Sequence, residues 1–117
     1  MRTEQLEQLI TDSLEDMKAS NIVKLDVRHL TSMTDMMIFA SGSSNRQVKA
    51  IAQRLDELDK DGADIIGIEG LEDAQWVLID FADIIVHIMH PETRDYYQLE
   101  KLWSVERDND QESLHMS

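Results

Sequence analysis

Residues 75–89, QWVLIDFADIIVHIM, constrain the fold more than any other part of this sequence. They form two runs rich in β-branched and aromatic residues, separated only by the turn-compatible segment Asp80-Phe81-Ala82-Asp83. A two-residue loop is the most economical connection between hairpin strands, and Phe81-Ala82 is the loop that the segment favours. The sequence therefore predicts an antiparallel β-hairpin folded about the two aspartates.

Counting outward from a Phe81-Ala82 loop gives a predicted register. The pairs are Asp80 with Asp83, Ile79 with Ile84, Leu78 with Ile85, Val77 with Val86 and Trp76 with His87. Because successive side chains alternate between faces, one face should carry Val77, Ile79, Ile84 and Val86. The other face should carry Trp76, Leu78, Ile85, His87 and Met89. Both faces are apolar, so we expect helices of the chain to cover one and a partner to bind the other.

The remaining segments supply helices and strands in an order typical of an α/β sandwich. Helices are predicted over residues 4–18 and 45–60 and after Pro91, and further strands over residues 22–30, 36–40 and 65–68. Thr3 is a candidate N-cap of the first helix, and Asp61-Gly62 should end the second at a left-handed residue. The order α-β-β-α-β-β-β-α predicts one mixed five-stranded sheet, packed by helices on at least one face. Residues 1–103 should form a single domain, and the acidic residues 104–117 should form a disordered tail.

Charge and residue content exclude several classes of function. The 117 residues include 24 acidic and 11 basic side chains, a formal net charge of −13, which repels a phosphate backbone and favours a basic protein surface. We therefore expect little direct nucleic-acid binding. The absence of cysteine excludes a thiolate nucleophile and a cysteine zinc site. No apolar run is long enough for a bilayer and the first residues do not resemble a signal peptide, so a soluble cytoplasmic protein without membrane contact is expected.

Residues 41–44, Ser-Gly-Ser-Ser, lie between a predicted strand and a predicted helix, and we call them the Gly-Ser corner. Ser44 and Gln47 have the spacing of a capping box. A loop of this kind at a helix amino terminus can also present N–H groups to a phosphate. The segment lacks the lysine of a Walker motif and the three glycines of a dinucleotide-binding motif. Helix capping is the favoured interpretation, and a phosphate site is the alternative.

Four carboxylates, those of Asp26, Glu69, Asp80 and Asp83, lie in or beside predicted strands, where converging acids can hold Mg²⁺ for nucleotidyl transfer. Asp80 and Asp83 flank a turn, however, and aspartates commonly stabilise such bends through their own backbone. The sequence offers no nucleophile paired with a base, and its four histidines lack ligand-like spacing. We predict no catalytic residue, no metal and no cofactor. An enzyme that holds phosphate on Ser43 and Ser44 is the competing hypothesis.

Trp76, Phe81 and His87 favour a protein-binding surface on the hairpin. The predicted register sets Trp76 opposite His87 on an apolar face, and tryptophan is enriched at the centres of interfaces. Phe81, at the apex of a two-residue turn, should have little of its own protein to pack against. The alternative is that Trp76 lies beneath the last helix and that Phe81 is merely tolerated at the turn.

An ordered set of motifs runs from residue 22 to residue 103. It comprises Leu25-Asp26-Val27, Thr34-Asp35, Ala40-Ser41-Gly42, residues 44–52 (SNRQVKAIA), Glu69-Gly70, Trp76-Val77-Leu78 with Asp80, Asp83 with Val86-His87, and Tyr97 with Leu99-Glu100, Leu102 and Trp103. Together these motifs resemble the Iojap-like family, whose bacterial members are the ribosomal silencing factors (RsfS).

The resemblance implies a nucleotidyltransferase-like α/β fold without transfer activity. It also implies binding to large-subunit ribosomal protein fourteen and a steric block on the association of the ribosomal subunits, which represses translation when nutrients are scarce. The family's interface positions fall on Trp76, Phe81 and His87. With their hairpin neighbours, the expected partner-binding residues are Trp76, Leu78, Asp80, Phe81, Asp83, Ile85, His87 and Met89.

Two further expectations concern the hairpin. An apolar strand face is costly to leave in water, so the unbound protein is expected to form a homodimer through the face that carries Trp76. Ala82 should be strained if the turn requires a positive φ at that position, because its Cβ disfavours such a backbone.

Overall fold

Three helices and five strands make up the residues that the structure, a computed structural model, describes, namely residues 2–97. In chain order they are α1 (Thr3–Asp16), β1 (Ser20–Asp26), β2 (Met36–Ser41), α2 (Asn45–Asp56) with a 3-10 turn (Glu57–Asp61), β3 (Gly67–Glu69), β4 (Trp76–Asp80), β5 (Ile84–Met89) and α3 (Pro91–Tyr97). The predicted element order is confirmed. The expected tail, residues 104–117, lies outside the described residues, as do Leu99, Leu102 and Trp103, over which the helix after Pro91 is expected to continue.

The five strands form one mixed sheet in the order β1-β2-β5-β4-β3. The β2–β5 pair is parallel, and the other three pairs are antiparallel. A strand buried on both faces is expected to be apolar throughout, and β2 (MMIFAS) has this character, with five of its six residues buried. The prediction of an α/β fold with a mixed five-stranded sheet is therefore confirmed.

The β4–β5 hairpin forms, but the predicted register is wrong by two residues. Trp76 pairs with Met89, Leu78 with His87 and Asp80 with Ile85. The N–H of Phe81 donates to the carbonyl of Ile84 at 2.9 Å, so the loop is Ala82-Asp83 and not Phe81-Ala82. A slip of one residue would exchange the two faces, whereas a slip of two preserves them. The nine strand residues that were assigned to the two faces therefore keep their predicted faces, although their cross-strand neighbours change.

Backbone hydrogen bonding at the turn explains the observed loop. The Ala82 N–H donates to Oδ1 of Asp80 at 2.8 Å, and the Asp83 N–H donates to the carbonyl of Phe81 at 3.0 Å. The second bond spans three residues, as in a γ-turn, and Ala82 at its centre has φ of 73°. The turn therefore does require a positive φ at Ala82, which is the condition for strain stated above, because an alanine side chain disfavours this region.

Helices α1 and α2 cover one face of the sheet. The buried cluster on that side joins Leu6, Ile10 and Leu14 of α1, Val48, Ile51, Ala52 and Leu55 of α2, and the sheet residues Ile38, Ala40, Val77, Ile79, Phe81, Ile84, Val86 and Ile88. Burying one large aliphatic side chain contributes about 1.5–3 kcal/mol. Apolar residues at 3.6-residue spacing give each helix one apolar face, and these two faces pack against the hairpin.

The helix ends agree with the sequence in part. Ser44 caps α2 by accepting the Gln47 N–H at 3.1 Å, and Gly62 follows the 3-10 turn with φ of 92°, as predicted. Thr3 does not cap α1. The helix begins at Thr3 after Arg2, and the Thr3 hydroxyl donates instead to Oδ2 of Asp83 at 3.2 Å, which ties α1 to the hairpin turn. Within residues 2–97, no helix is long and apolar enough to cross a membrane.

Candidate partner-binding face

The face of the sheet opposite α1 and α2 carries most of the residues predicted for partner binding. Strand pairing across β2, β5 and β4 arranges its side chains in three rows. The rows are Ser41, Met89 and Trp76, then Phe39, His87 and Leu78, then Met37, Ile85 and Asp80. We call these nine residues the docking face.

Exposure is uneven across the docking face. The buried members are Met37, Phe39, Ser41, His87 and Met89. Trp76, Leu78, Asp80 and Ile85 are half-buried, and all but Ile85 lie on β4. The accessible part of the face is therefore its β4 side. Met89 and His87 lie on the predicted face but contribute little surface to it.

Trp76, His87 and Phe39 form a continuous aromatic cluster. The indole Nε1 of Trp76 donates to Nδ1 of His87 at 3.1 Å, with ring centroids 6.1 Å apart and planes inclined by 37°. The imidazole stacks on Phe39 with a centroid distance of 4.7 Å and an interplanar angle of 8°. The predicted proximity of Trp76 and His87 is confirmed, although Leu78 is the residue that pairs directly with His87.

Burial makes His87 an unusual histidine. Loss of solvation lowers its pKa from 6.5 to about 4, because a charged imidazole is poorly stabilised inside the sheet. His87 is therefore neutral at physiological pH. A neutral imidazole has one ring nitrogen free to accept, and Nδ1 fills that role for the Trp76 indole.

Arg94 of α3 was missed by sequence reasoning. The residue is buried, and its Nη1 donates to the Ser41 hydroxyl at 2.9 Å. Ser41 shares a row with Met89 and Trp76, so α3 is anchored at the β2 end of that row. A single arginine near the start of a short helix is typical of a surface residue, and its contact with Ser41 depends on the folded structure. Phe39 was missed for a similar reason, since its contact with His87 depends on the parallel β2–β5 pairing.

Phe81 does not belong to the docking face. Only 3% of it is exposed, and its ring belongs to the helix-side cluster that includes Ile79 and Ile84. The prediction that Phe81 stands exposed at the turn apex is wrong. The physical reason is the loop position, because Phe81 pairs with Ile84 and its side chain follows the strand alternation into the core.

Asp80 has the predicted structural role at the turn, whereas the carboxylate of Asp83 contacts α1. Asp80 holds the Ala82 N–H, and Asp83, which is exposed, accepts the Thr3 hydroxyl. The carboxylate of Asp26 is hydrogen-bonded to Arg28 and not to the turn. This side-chain bond lowers the pKa of Asp26 to about 2. Among the residues described, no three or more histidine, aspartate or glutamate side chains are grouped so that they could hold a metal ion.

The Gly-Ser corner is filled by a side chain of the protein itself. Oε1 of Gln47 accepts both the N–H and the hydroxyl of Ser43, at 2.5 and 2.6 Å, and Gln47 Nε2 donates to the carbonyl of Met17 at 3.1 Å. The capping box is modified, because Gln47 reaches back to Ser43 and not to Ser44. The donors that a phosphate would need at Ser43 are thus bonded to Gln47, which supports capping over phosphate binding.

The chain is similar to proteins of one named family. A family model described as "Ribosomal silencing factor during starvation" matches residues 1–117. A Chromobacterium violaceum protein named ribosomal silencing factor RsfS is 46% identical over 104 residues, which cover 88% of this chain and 85% of that protein. A Haemophilus influenzae protein of the same name is 43% identical over 100 residues, covering 85% of this chain and 98% of that protein.

The fold has a solved counterpart. A crystal structure of a Chromobacterium violaceum protein superposes with a TM-score of 0.86 at 46% sequence identity. The superposition covers 89% of this chain and 88% of the other. The fold described above is therefore closely similar to that of an experimental structure.

Proposed function

This chain belongs to the ribosomal silencing factor family, and from that premise we propose that it binds large-subunit ribosomal protein fourteen and blocks association of the ribosomal subunits. A protein seated at the subunit-joining face of the large subunit excludes the small subunit by its volume alone. Translation is thereby repressed when nutrients are scarce. The role is regulatory and needs neither catalysis nor a cofactor, and it is exercised on ribosomes in the cytoplasm.

The half-buried β4 side of the docking face is the observation that carries this proposal. Trp76, Leu78 and Ile85 present apolar surface there, with Asp80 at one end. Tryptophan anchors at interface centres contribute much of the binding energy in protein complexes. These four residues are proposed as direct contacts, and the exposed Asp83 at the turn extends them. His87 and Met89 lie too deep in the docking face for extensive contact, and Phe81 lies on the helix-covered side of the sheet.

Charge supports a basic protein partner over nucleic acid. The net charge of −13 attracts a basic ribosomal protein and repels ribosomal RNA. Electrostatic attraction acts mainly on encounter, so added salt should slow association more than it speeds dissociation. Stopped-flow association rates that do not change with salt would contradict this part of the proposal.

Self-association of the unbound protein follows from the same surface. Exposed apolar strand residues are costly in water, and a second copy of the chain can cover them. The docking face cannot serve two partners at once. Adding the ribosomal protein should therefore convert a homodimer into a heterodimer, which light scattering coupled to size-exclusion chromatography would resolve. A strictly monomeric protein across the measured concentrations would contradict the dimer.

Nucleotidyl transfer is the competing function, and the contacts within residues 2–97 at its two candidate sites do not favour it. Gln47 occupies the donors of Ser43, and Asp80 is bonded to the turn backbone. Titration with Mg²⁺ and a nucleoside triphosphate should show no turnover. Transfer activity that disappears when Asp80→Asn and Asp83→Asn are combined would overturn the regulatory proposal.

Co-sedimentation with purified ribosomal subunits tests the proposal. The chain should pellet with large subunits and not with small ones, and it should bind naked ribosomal RNA far more weakly. Leu78→Lys places a charge on the docking face and should reduce pelleting, since the long lysine stem can reach water without unfolding the sheet. Gln53→Lys makes the same charge change on the exposed side of α2 and should pellet like the parent protein. Equal binding to the small subunit would contradict the proposal.

A further inference from the structure

His87 lies too deep to be an ordinary contact residue. Only 6% of it is exposed, and it sits on the central strand between Phe39 of β2 and Leu78 of β4. Its hydrogen-bonding nitrogen is directed at Trp76, which is half-buried on the accessible side of the docking face. A partner that touches the indole therefore meets a side chain whose N–H is already held.

We infer that His87 is a positioning residue: stacked on Phe39, it accepts the indole N–H of Trp76 and fixes the orientation of that ring before a partner binds. The inference deepens the proposed function and rests on it. Trp76 is the binding anchor, and His87 orients that anchor without contacting the partner itself. His87 belongs to the binding site through Trp76 alone.

The geometry gives the histidine two separate tasks. The nearly parallel stack on Phe39, with an interplanar angle of 8°, holds the plane of the imidazole, and within that plane the ring is turned so that Nδ1 faces the Trp76 indole. The 3.1 Å bond from Trp76 Nε1 then selects one orientation of the indole. An indole N–H can only donate, and a partly buried donor without an acceptor is penalised. Rotated indoles that break the bond are therefore disfavoured.

Fixing the ring in advance raises affinity because binding no longer has to order it. Immobilising one rotamer-rich side chain at an interface weakens binding by a factor of about three to ten. Loss of the acceptor at residue 87 should therefore weaken binding to large subunits by about that factor. Loss of the Trp76 ring should weaken it by about thirtyfold or more, since the anchor itself is removed.

Two substitutions at His87 separate the acceptor from the ring. His87→Asn places a carbonyl oxygen close to the position of Nδ1 but removes the ring that stacks on Phe39. His87→Phe keeps a stacking ring but removes the acceptor. A positioning role predicts that the asparagine variant binds within about twofold of the parent protein, while the phenylalanine variant loses the three- to tenfold above. A role in packing alone predicts the opposite order.

A spectroscopic readout makes the inference testable without any partner. In a ¹⁵N–¹H spectrum the chain has two indole signals, from Trp76 and Trp103, and Trp76→Phe assigns them. The Trp76 indole proton should exchange slowly with water in the parent protein and in His87→Asn, and rapidly in His87→Phe. Rapid exchange in the parent protein would overturn the inference even if every variant failed to fold.

Binding of the same variants to isolated large subunits separates failure of this inference from failure of the proposed function. If Trp76→Ala loses binding while a folded His87→Phe binds like the parent protein, positioning is overturned and the docking face stands. If a folded Trp76→Ala binds like the parent protein, both ideas fall. The expected result is strong loss for Trp76→Ala, intermediate loss for His87→Phe and retention for His87→Asn.

Discussion

Gly70 lies against the backbone of Trp76, so close that a Cβ added to Gly70 would stand 2.1 Å from the Trp76 carbonyl oxygen. Gly70 has φ of 87°, and its carbonyl accepts the N–H of Ala74 at 3.0 Å. The link between β3 and β4 thus folds back on the first residue of β4 at a point where no side chain fits. This close approach determines where β4 begins, and with it the position of Trp76 on the docking face.

Gly70→Ala should destabilise the fold strongly. The substitution combines a positive φ with a backbone contact that must open, and strained positions of this kind cost about 1–3 kcal/mol before any shift of neighbouring atoms. We expect a loss of at least about 2 kcal/mol in the free energy of unfolding, measured by urea denaturation. Binding to large subunits should also weaken, because β4 carries Trp76.

Two other glycines provide matched controls for Gly70→Ala. Gly62 has φ of 92° but nothing within 4 Å of an added Cβ, so Gly62→Ala should cost only about 1 kcal/mol. Gly67 has neither a positive φ nor a close neighbour, so Gly67→Ala should have little effect. Equal losses for Gly70→Ala and Gly62→Ala would show that the contact with Trp76 is unimportant.

Ala82→Gly should stabilise the protein. Ala82 has φ of 73°, which glycine adopts without the Cβ penalty, and removing that penalty should add about 0.5–1 kcal/mol to the free energy of unfolding. The same change at Ala50, inside α2, should instead cost about 1 kcal/mol. Thermal melts of both variants should show a higher melting temperature for Ala82→Gly and a lower one for Ala50→Gly. A less stable Ala82→Gly protein would mean that the turn is not strained.

Phe81 should matter for stability and not for binding. Phe81→Ala empties a buried site and should cost about 3–5 kcal/mol, enough to unfold much of a marginally stable domain. Phe81→Leu keeps most of the volume and should cost less than about 1.5 kcal/mol while leaving affinity for large subunits unchanged. Circular dichroism melts and binding isotherms decide. A stable Phe81→Leu variant with much weaker binding would indicate that Phe81 contacts the partner.

Acid should destabilise the fold through His87. The folded-state pKa of about 4 lies below the unfolded value of 6.5, so between these values the unfolded chain binds the extra proton. Stability is therefore fully present above pH 6.5 and is lost as the pH falls through about 4. The lowered pKa corresponds to about 3 kcal/mol in total.

His87→Asn removes the titrating group and serves as the reference for this pH dependence. Between pH 7 and 4.5 the parent protein should lose about 2–3 kcal/mol more than the variant in urea denaturation. Among residues 2–97, the charged groups on the same face of the sheet are Glu69 of β3 and Asp80 of β4, with Arg94 of α3 bonded nearby at Ser41. Parallel pH profiles for the two proteins would show that these charges offset the burial of His87.

The sequence was sufficient for the element order and for the division of the hairpin into two faces, because both follow from the spacing of apolar residues. It was insufficient for the register. The segment Asp80-Phe81-Ala82-Asp83 is compatible with a loop at Phe81-Ala82 or at Ala82-Asp83. The second is observed because Asp80 accepts the Ala82 N–H and because the Phe81 ring packs in the core. Those are tertiary effects that local turn preferences do not contain.

The candidate site shows the same limit. Trp76 and His87 could be placed together because they lie on one hairpin and share a face. Phe39 and Arg94 could not be placed there from the sequence, because both are distant along the chain from the residues they contact. Phe39 reaches His87 through the parallel pairing of β2 with β5, and Arg94 reaches the site through its bond to Ser41. The partner-binding hypothesis could be formed from the hairpin alone, whereas the support beneath Trp76 required the assembled sheet.

The most direct test of the account is a subunit-joining assay with purified large and small subunits, followed by light scattering as the protein is added. The parent protein and Gln53→Lys should prevent joining in proportion to the large subunits occupied, and folded Trp76→Ala and Leu78→Lys should leave joining nearly unaffected at the same concentrations. Full joining on large subunits saturated with the parent protein, or equal inhibition by the docking-face variants, would contradict the account.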